Sequence, residues 1–207
     1  MPAELVSAKG RQTRQAIEQA ARKLFAERGF HGTTLADITS AAGKSPAVFY
    51  RYFTDKEDLL AALAGSFLHE VVEPSGWAVP LPESPADNAF FTSVVTGYWS
   101  MFKQNIGIMI AVAQLAATQP RFADVQNEFR RFGMEIVAAS VRRAQDQGHA
   151  LELNPEHTAA AIALLFENFT TVFVGKSDPQ KGLGVRITDD DAIVLLSRIW
   201  KKTLYGA

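Results

Sequence analysis

Cysteine is absent from this 207-residue chain, which removes disulfides, thiolate nucleophiles and cysteine zinc sites together. The four histidines, His31, His69, His149 and His157, are scattered and make no H-E-x-x-H pattern, so no metal site is indicated. The sequence also lacks a phosphate loop, a dinucleotide fingerprint, a carboxylate pair and nucleophile–base spacing, so we expect neither an enzyme nor a cofactor. Long hydrophobic runs are missing as well. The longest, residues 106–113 and 159–166, fall short of the roughly 18 residues needed to span a bilayer. No apolar signal core occupies the first ten residues, and the expectation is a cytoplasmic protein with no membrane partner.

Apolar residues make up 47% of the chain, enough for a core, and glycine and proline are too few to suggest disorder. The net charge of -1 conceals an asymmetry. Residues 1–56 hold nine basic and five acidic side chains, a balance of +4; the remainder holds twelve and seventeen, a balance of -5. A basic first quarter on an acidic body suits a head that meets polyanions, because local charge governs phosphate attraction.

Helical periodicity dominates and no alternating stretch requires a sheet, so the fold class is all-α. Residues 1–10 read as an arm. A helix over 11–28 carries Ile17, Ala20, Ala21, Leu24 and Phe25 on one face, and Gly29 stops it. Thr34, with Asp37 three positions on, opens a short second helix that ends at Gly43. Ser45 as cap and Pro46 as first helical residue open a third, expected to run two turns to Phe53. Thr54 to Glu57 reads as a capping box for a fourth helix reaching about Val72. Pro74, Pro80, Pro82 and Pro85 mark a connector over 73–88. Helices are then expected at 87–103, 105–118, 121–147, 155–174 and 189–204, with a polar loop over 175–187. We expect a helix-turn-helix domain over 11–56 and a helical effector-binding and dimerisation domain over 57–207.

A short helix, a tight turn and a second short helix can set that second helix into a DNA major groove. Ile38, Phe49 and Phe53 are placed to pack inward. Ser45, Pro46, Val48, Tyr50, Arg51 and Tyr52 are left on the outer face. A plain helical subdomain would share this layout.

The run Thr33-Thr34-Leu35-Ala36-Asp37-Ile38, followed by Ala41-Ala42-Gly43-Lys44-Ser45, Phe49-Tyr50-Arg51-Tyr52-Phe53 and Lys56-Glu57-Asp58-Leu59-Leu60, resembles the N-terminal signature of the TetR family of bacterial regulators. The resemblance implies a homodimer whose paired recognition helices read a palindromic operator on double-stranded DNA, most often a repressor released by a small ligand. A regulator or activator governed by a protein partner, or by no effector, is the alternative. Carried over residue by residue, it implies that Tyr50 and Lys56 contact phosphates and that Thr34 holds the second helix to the backbone. Pro46 and Val48 stand at base-reading positions. Neither side chain donates a hydrogen bond, which leaves polar readout to Ser45, Arg51 or Tyr52. Two residues depart from the family pattern. Lys44 replaces a small aliphatic residue and either adds a phosphate contact or loosens the turn; Thr39 replaces alanine, its hydroxyl able to bond the preceding turn. Arg11 and Arg14 either reach the DNA or are merely solvated.

The body is rich in aromatics and Met. Trp99, Phe102, Asn105, Met109, Phe132, Glu135, Phe166 and Phe169 are candidates to line a site for a largely apolar effector, though core packing explains such aromatics equally well. Ala160, Leu164 and Asn168, with Leu196 and Trp200 in the last helix, are candidates for the subunit interface; a helix apolar on several sides lies either deep in a bundle or against a partner.

Overall fold

The computed structural model describes residues 7–72, 81–175 and 183–206, and among these no strand occurs. The helices are α1 (Ala8–Arg28), α2 (Leu35–Ala41), α3 (Pro46–Phe49), α4 (Lys56–Val72), α5 (Asn88–Gln104), α6 (Ile106–Ala116), α7 (Pro120–Asp146), α8 (Pro155–Val174) and α9 (Asp189–Tyr205). The chain forms two compact units, one from residues 1–70 and 107–125, the other from 71–106 and 126–207.

Most helix ends fall within a residue or two of those the sequence predicts, and the exceptions have local causes. α1 begins at Ala8 rather than Arg11, because the Ser7 hydroxyl accepts the Gly10 N–H at 3.2 Å and caps it; residues 8–10 of the expected arm are therefore helix. Residues 1–6 lie outside the described residues, as do 73–80 of the connector and 176–182 of the polar loop. The expected Thr54 capping box is displaced by one residue. Asp55 Oδ1 accepts the Asp58 N–H at 2.6 Å, while Asp58 Oδ2 accepts the Thr54 N–H at 2.9 Å.

The first unit closes around Phe25, Ile38, Phe49, Leu59, Leu60 and Leu63, all fully buried. Helices of seven and four residues cannot bury a core by themselves. Ile108, Ala111, Val112 and Leu115 of α6, with Phe122, complete it. Gly107 brings α6 against the backbone of α1: a Cβ built there would lie 2.5 Å from Ala26 N and 2.6 Å from the Phe25 carbonyl carbon.

In the second unit α5 packs on α9. Trp200 is 1% exposed and meets Phe91 at 5.2 Å and Phe90 at 5.5 Å, edge to face. Its indole N–H donates to Ser140 Oγ at 3.1 Å, and that hydroxyl donates to the Val137 carbonyl at 2.6 Å, so both buried polar groups are satisfied. The Arg130 guanidinium of α7 donates to both carboxylate oxygens of Glu167 of α8, at 2.7 and 2.8 Å. α8 runs 20 residues and contains an 18-residue stretch of mean hydropathy 1.3, long and apolar enough by length and composition to cross a bilayer. That exceeds what the run 159–166 implied. Ala159, Ile162, Phe166 and Thr170 account for its inward face, yet Leu164 and Leu165 lie exposed.

Candidate nucleic-acid interface

The turn between α1 and α2 is held from within. Thr33 is buried, and its hydroxyl donates to the Gly29 carbonyl at 2.8 Å. Thr34 caps α2 as the sequence predicts: its Oγ1 accepts the Asp37 N–H at 3.1 Å, and Asp37 Oδ2 accepts the Thr34 N–H at 2.9 Å. These bonds from Thr34, more than the nearby Arg28 charge, hold the Asp37 carboxyl below its ordinary pKa. The cap therefore contributes above the unfolded-state value and is lost as pH falls through the lowered one.

The turn that follows reverses the chain in three bonds. Ala42 N–H donates to the Ile38 carbonyl at 2.9 Å, Gly43 N–H to Ser40 at 3.0 Å and Lys44 N–H to Thr39 at 2.9 Å. Gly43 has φ +63°, left-handed backbone that favours glycine. The Thr39 hydroxyl donates to the Ala36 carbonyl at 3.1 Å, the bond expected for that substitution.

Ser45 Oγ accepts the Val48 N–H over a long 3.4 Å, and Pro46 stands in the first turn of α3. Only Pro46–Phe49 is α-helical. Tighter bonds, Arg51 N–H to Val48 and Tyr52 N–H to Phe49, carry the rod on to Phe53. Phe49 is fully buried and Phe53 nearly so, with ring centroids 5.6 Å apart. Ser45, Pro46, Tyr50 and Arg51 are exposed, while Lys44 and Val48 are half-buried. Tyr50 is 61% exposed, unusual for so large a ring. Tyr52 departs from the expected outer face and packs half-buried against the core. Arg14 likewise departs from a free DNA-reaching role: its guanidinium lies 5.3 Å from the Phe53 ring centroid and pairs with Glu18 at 2.8 Å.

Lys56 stands at the start of α4, where a phosphate contact is expected. Its ammonium donates to the carbonyls of Phe30 and Thr33, each at 2.8 Å. No local sequence signal marks this bond, because its acceptors lie 23 and 26 residues away.

In the second unit, Trp99, Phe102 and Phe166 are buried and Phe132 and Phe169 half-buried. Asn105 caps the end of α5 and donates to the Met101 carbonyl. Two candidates do not belong with these. Glu135 is exposed on the outer side of α7, while Met134, Ile136 and Val137 of the same turn meet the core, and Met109 falls in the first unit. Half-buried Tyr98 lies beside the buried Thr170, a residue that sequence does not single out. Burial first of all raises the Tyr98 hydroxyl pKa, with Thr170 opposing, yet Thr170 Oγ1 closes no hydrogen bond. Lys103 holds the Asp189 carboxyl low, and the buried Trp99 indole N–H, near the same carboxylate, closes no hydrogen bond of ordinary geometry.

Two interface candidates need correction. Leu196 and Trp200 are 0% and 1% exposed inside their own unit, so no second subunit can reach them. Their helix turns Val194 and Leu195 outward instead. Leu164 and Asn168 are exposed and Ala160 half-buried. The missed signal was the pairing of adjacent apolar residues, Leu164-Leu165 and Val194-Leu195, beside stripes already wide enough to serve the core.

The sequence model of the family described as "Bacterial regulatory proteins, tetR family" matches residues 17–63, which run from the core face of α1 into α4. The chain is 28% identical to the HTH-type transcriptional regulator EthR of Mycobacterium tuberculosis over 196 residues, 92% of this chain and 86% of that protein. It is 26% identical to the HTH-type transcriptional regulator UidR of Escherichia coli over 162 residues, 76% of this chain and 78% of that one. Among solved structures, a tetR-family transcriptional regulator from Streptomyces coelicolor aligns with a TM-score of 0.69 at 16% identity, covering 92% of this chain and 79% of that one. Salmonella enterica GusR aligns at 0.61 and 19%, covering 93% and 95%. The exposed helical rod beginning at Ser45 and the core that fixes it from behind thus lie within the stretch that matches the bacterial tetR-family regulatory proteins, and the chain is similar along most of its length to HTH-type transcriptional regulators.

Proposed function

We propose that the protein is a homodimeric repressor that holds a palindromic operator through its paired α3 rods and lets go when a small, largely apolar ligand occupies the body. The observation that carries the DNA-reading role is the rod itself. Ser45, Pro46, Tyr50 and Arg51 face solvent while Phe49 and Phe53 anchor its back. Tyr50 offers a phenol to a phosphate, and Val48 offers methyl groups to a thymine methyl. Selecting a randomised duplex library on the purified protein tests this reading. Enrichment of a palindrome supports it, and no retained duplex at low salt refutes it. On the selected site, Tyr50→Phe should weaken binding to every sequence by about tenfold, one hydrogen bond to a charged oxygen. Val48→Ser should instead change which base is preferred at one position of each half-site. Uniform weakening by Val48→Ser would remove its base-reading role.

Dimerisation through the outer faces of α8 and α9 accounts for an apolar surplus that the protomer's core does not use. Leu164 is 49% exposed, and Leu165, Val194 and Leu195 are each about two-fifths exposed. The double variant Leu164→Glu/Leu195→Glu should sediment as a folded monomer with unchanged helicity. A dimer surviving that change would place the contact elsewhere.

Effector control rests on the aromatic-walled interior of the second unit, where Thr170 Oγ1 and Trp99 Nε1 are buried without a hydrogen-bond partner. Such groups favour a ligand that supplies one polar atom on an otherwise apolar frame. In the chain α5 passes to α6 through Asn105 alone, and α6 shares the core of the DNA-reading unit. A ligand that differentially favours one setting of α6 would therefore shift the head. Release of the selected duplex by members of an apolar small-molecule library tests this; no change with any compound would favour a regulator without an effector.

A further inference from the structure

We propose that the effector of this protein is uncharged and carries a carbonyl-type oxygen, which accepts from the Thr170 hydroxyl and the Tyr98 phenol between α5 and α8. The proposal rests on the reading of the second unit as an apolar effector site and names the chemical class that site takes. Thr170 is fully buried, yet its Oγ1 closes no hydrogen bond. A helical threonine can return its hydroxyl to the carbonyl one turn back. The neighbouring Thr171 does so, donating to the Glu167 carbonyl at 2.7 Å; Thr170 does not. A buried hydroxyl left open has lost its water without gaining a partner, and a ligand atom that closes it removes the penalty. Tyr98 lies beside it. Burial pushes the Tyr98 phenol well above its ordinary value, so the group keeps its proton and can donate.

The surroundings decide the charge of the ligand. The Tyr98 ring stands 5.8 Å from Phe166 and 6.0 Å from Phe102. The Trp99 ring stands 6.3 Å from Phe169, the residue before Thr170. The charges that act on these aromatics are both carboxylates. Glu167 lies close enough to Tyr98 to oppose loss of its proton, and Asp189 lies near the Trp99 indole. Each carboxylate already has its cation: Arg130 donates to both oxygens of Glu167, and Lys103 pairs with Asp189. An anionic ligand would therefore shed its water beside two carboxylates whose cations are engaged. Recruiting Arg130 to meet it would strand Glu167, whose side chain is only 25% exposed. A quaternary ammonium would find aromatic faces, but it has no lone pair to accept from Thr170. A ketone, ester or amide oxygen has two lone pairs, one for each hydroxyl.

Probes matched in shape and differing in charge separate these cases. Wild type, Thr170→Val, Thr170→Ser and Tyr98→Phe would be titrated calorimetrically at neutral pH with methyl naphthyl ketone, ethylnaphthalene, naphthoate and trimethylnaphthylammonium. Methyl octyl ketone and nonanoate provide the same comparison on a flexible frame. The proposal predicts that wild type binds the ketones about tenfold or more tighter than the carboxylates and the ammonium ion. Thr170→Val should weaken the ketones by about tenfold, the loss of one buried hydrogen bond, and leave ethylnaphthalene unchanged. Tyr98→Phe should show the same selective loss, and Thr170→Ser, which keeps the hydroxyl, should retain ketone binding. Thermal unfolding of ligand-free Thr170→Val should show no fall in midpoint, because the hydroxyl it removes has no partner to lose. A lower midpoint would assign that hydroxyl to the fold and overturn the proposal. So would a carboxylate or the ammonium ion binding as tightly as the ketones, or ketone affinity that Thr170→Val leaves untouched. Binding of ethylnaphthalene alone keeps the apolar site and sinks only the inference about its ligand. If no probe binds, the effector site itself fails, and the inference falls with it.

Discussion

Gly107→Ala should lower the stability of the protein by about 3 kcal/mol, the upper end of what overpacking a filled site costs. A methyl at this position would lie 2.5 Å from Ala26 N, 2.6 Å from the Phe25 carbonyl carbon and 2.8 Å from Ala26 Cα. All three are backbone atoms of the last turn of α1, so no rotamer change relieves the contact. Alanine's better helix propensity works in the opposite direction and is worth at most about 1 kcal/mol, so the clash wins. The measurement is thermal unfolding by far-ultraviolet circular dichroism, with a fall in midpoint of roughly 10 °C. An unchanged or raised midpoint would mean that α6 does not bear directly on α1. The comparison variant is Gly65→Ala, in α4, where a methyl meets nothing within 4 Å and no such loss is expected.

The second large effect is that of Phe49→Ala. Truncating a fully buried phenylalanine costs about 3–5 kcal/mol in a core that relaxes only partly. Here the same residue closes a helix of four residues, so the damage concentrates where DNA is read. Loss of duplex binding should exceed a hundredfold, with accelerated amide exchange over residues 45–53. Arg51→Ala provides the contrast. Its side chain is exposed, so binding should fall while stability and exchange stay at wild-type levels. If Phe49→Ala kept full affinity, the rod would not depend on its anchor, and the description of the interface would have to change.

The parts of this fold that were legible in sequence are those written locally. Ser45-Pro46 announces a helix start because a cap and a first-position proline act within one turn. Thr34 and Asp37 do so because their reciprocal bonds span three residues. The Thr54 box failed by one residue because Thr54, Asp55 and Asp58 all offer capping oxygens, and only the approach of the chain decides among them. What escaped was nonlocal. The partners of Lys56 lie far back in the chain, and a lysine beside a helix start reads the same whether it faces solvent or two carbonyls. Arg14 reads as a mobile cation until Phe53 is brought beneath it. Leu196 and Trp200 were assigned to the wrong side of α9 because periodicity reports that a stripe is apolar, not which neighbour it meets. Both faces of that helix carry large apolar side chains, and Ser140, sixty residues away, satisfies the indole of only the inner one.

The burial of Trp200 against Phe90 and Phe91 has a practical corollary for observing the molecule. Residues 7–70 and 107–125 contain no tryptophan at all. Indole emission therefore reports on the other part of the chain, while ellipticity records both. Where the two signals part company on heating or in urea, the protein is melting in stages, and a single midpoint no longer describes it.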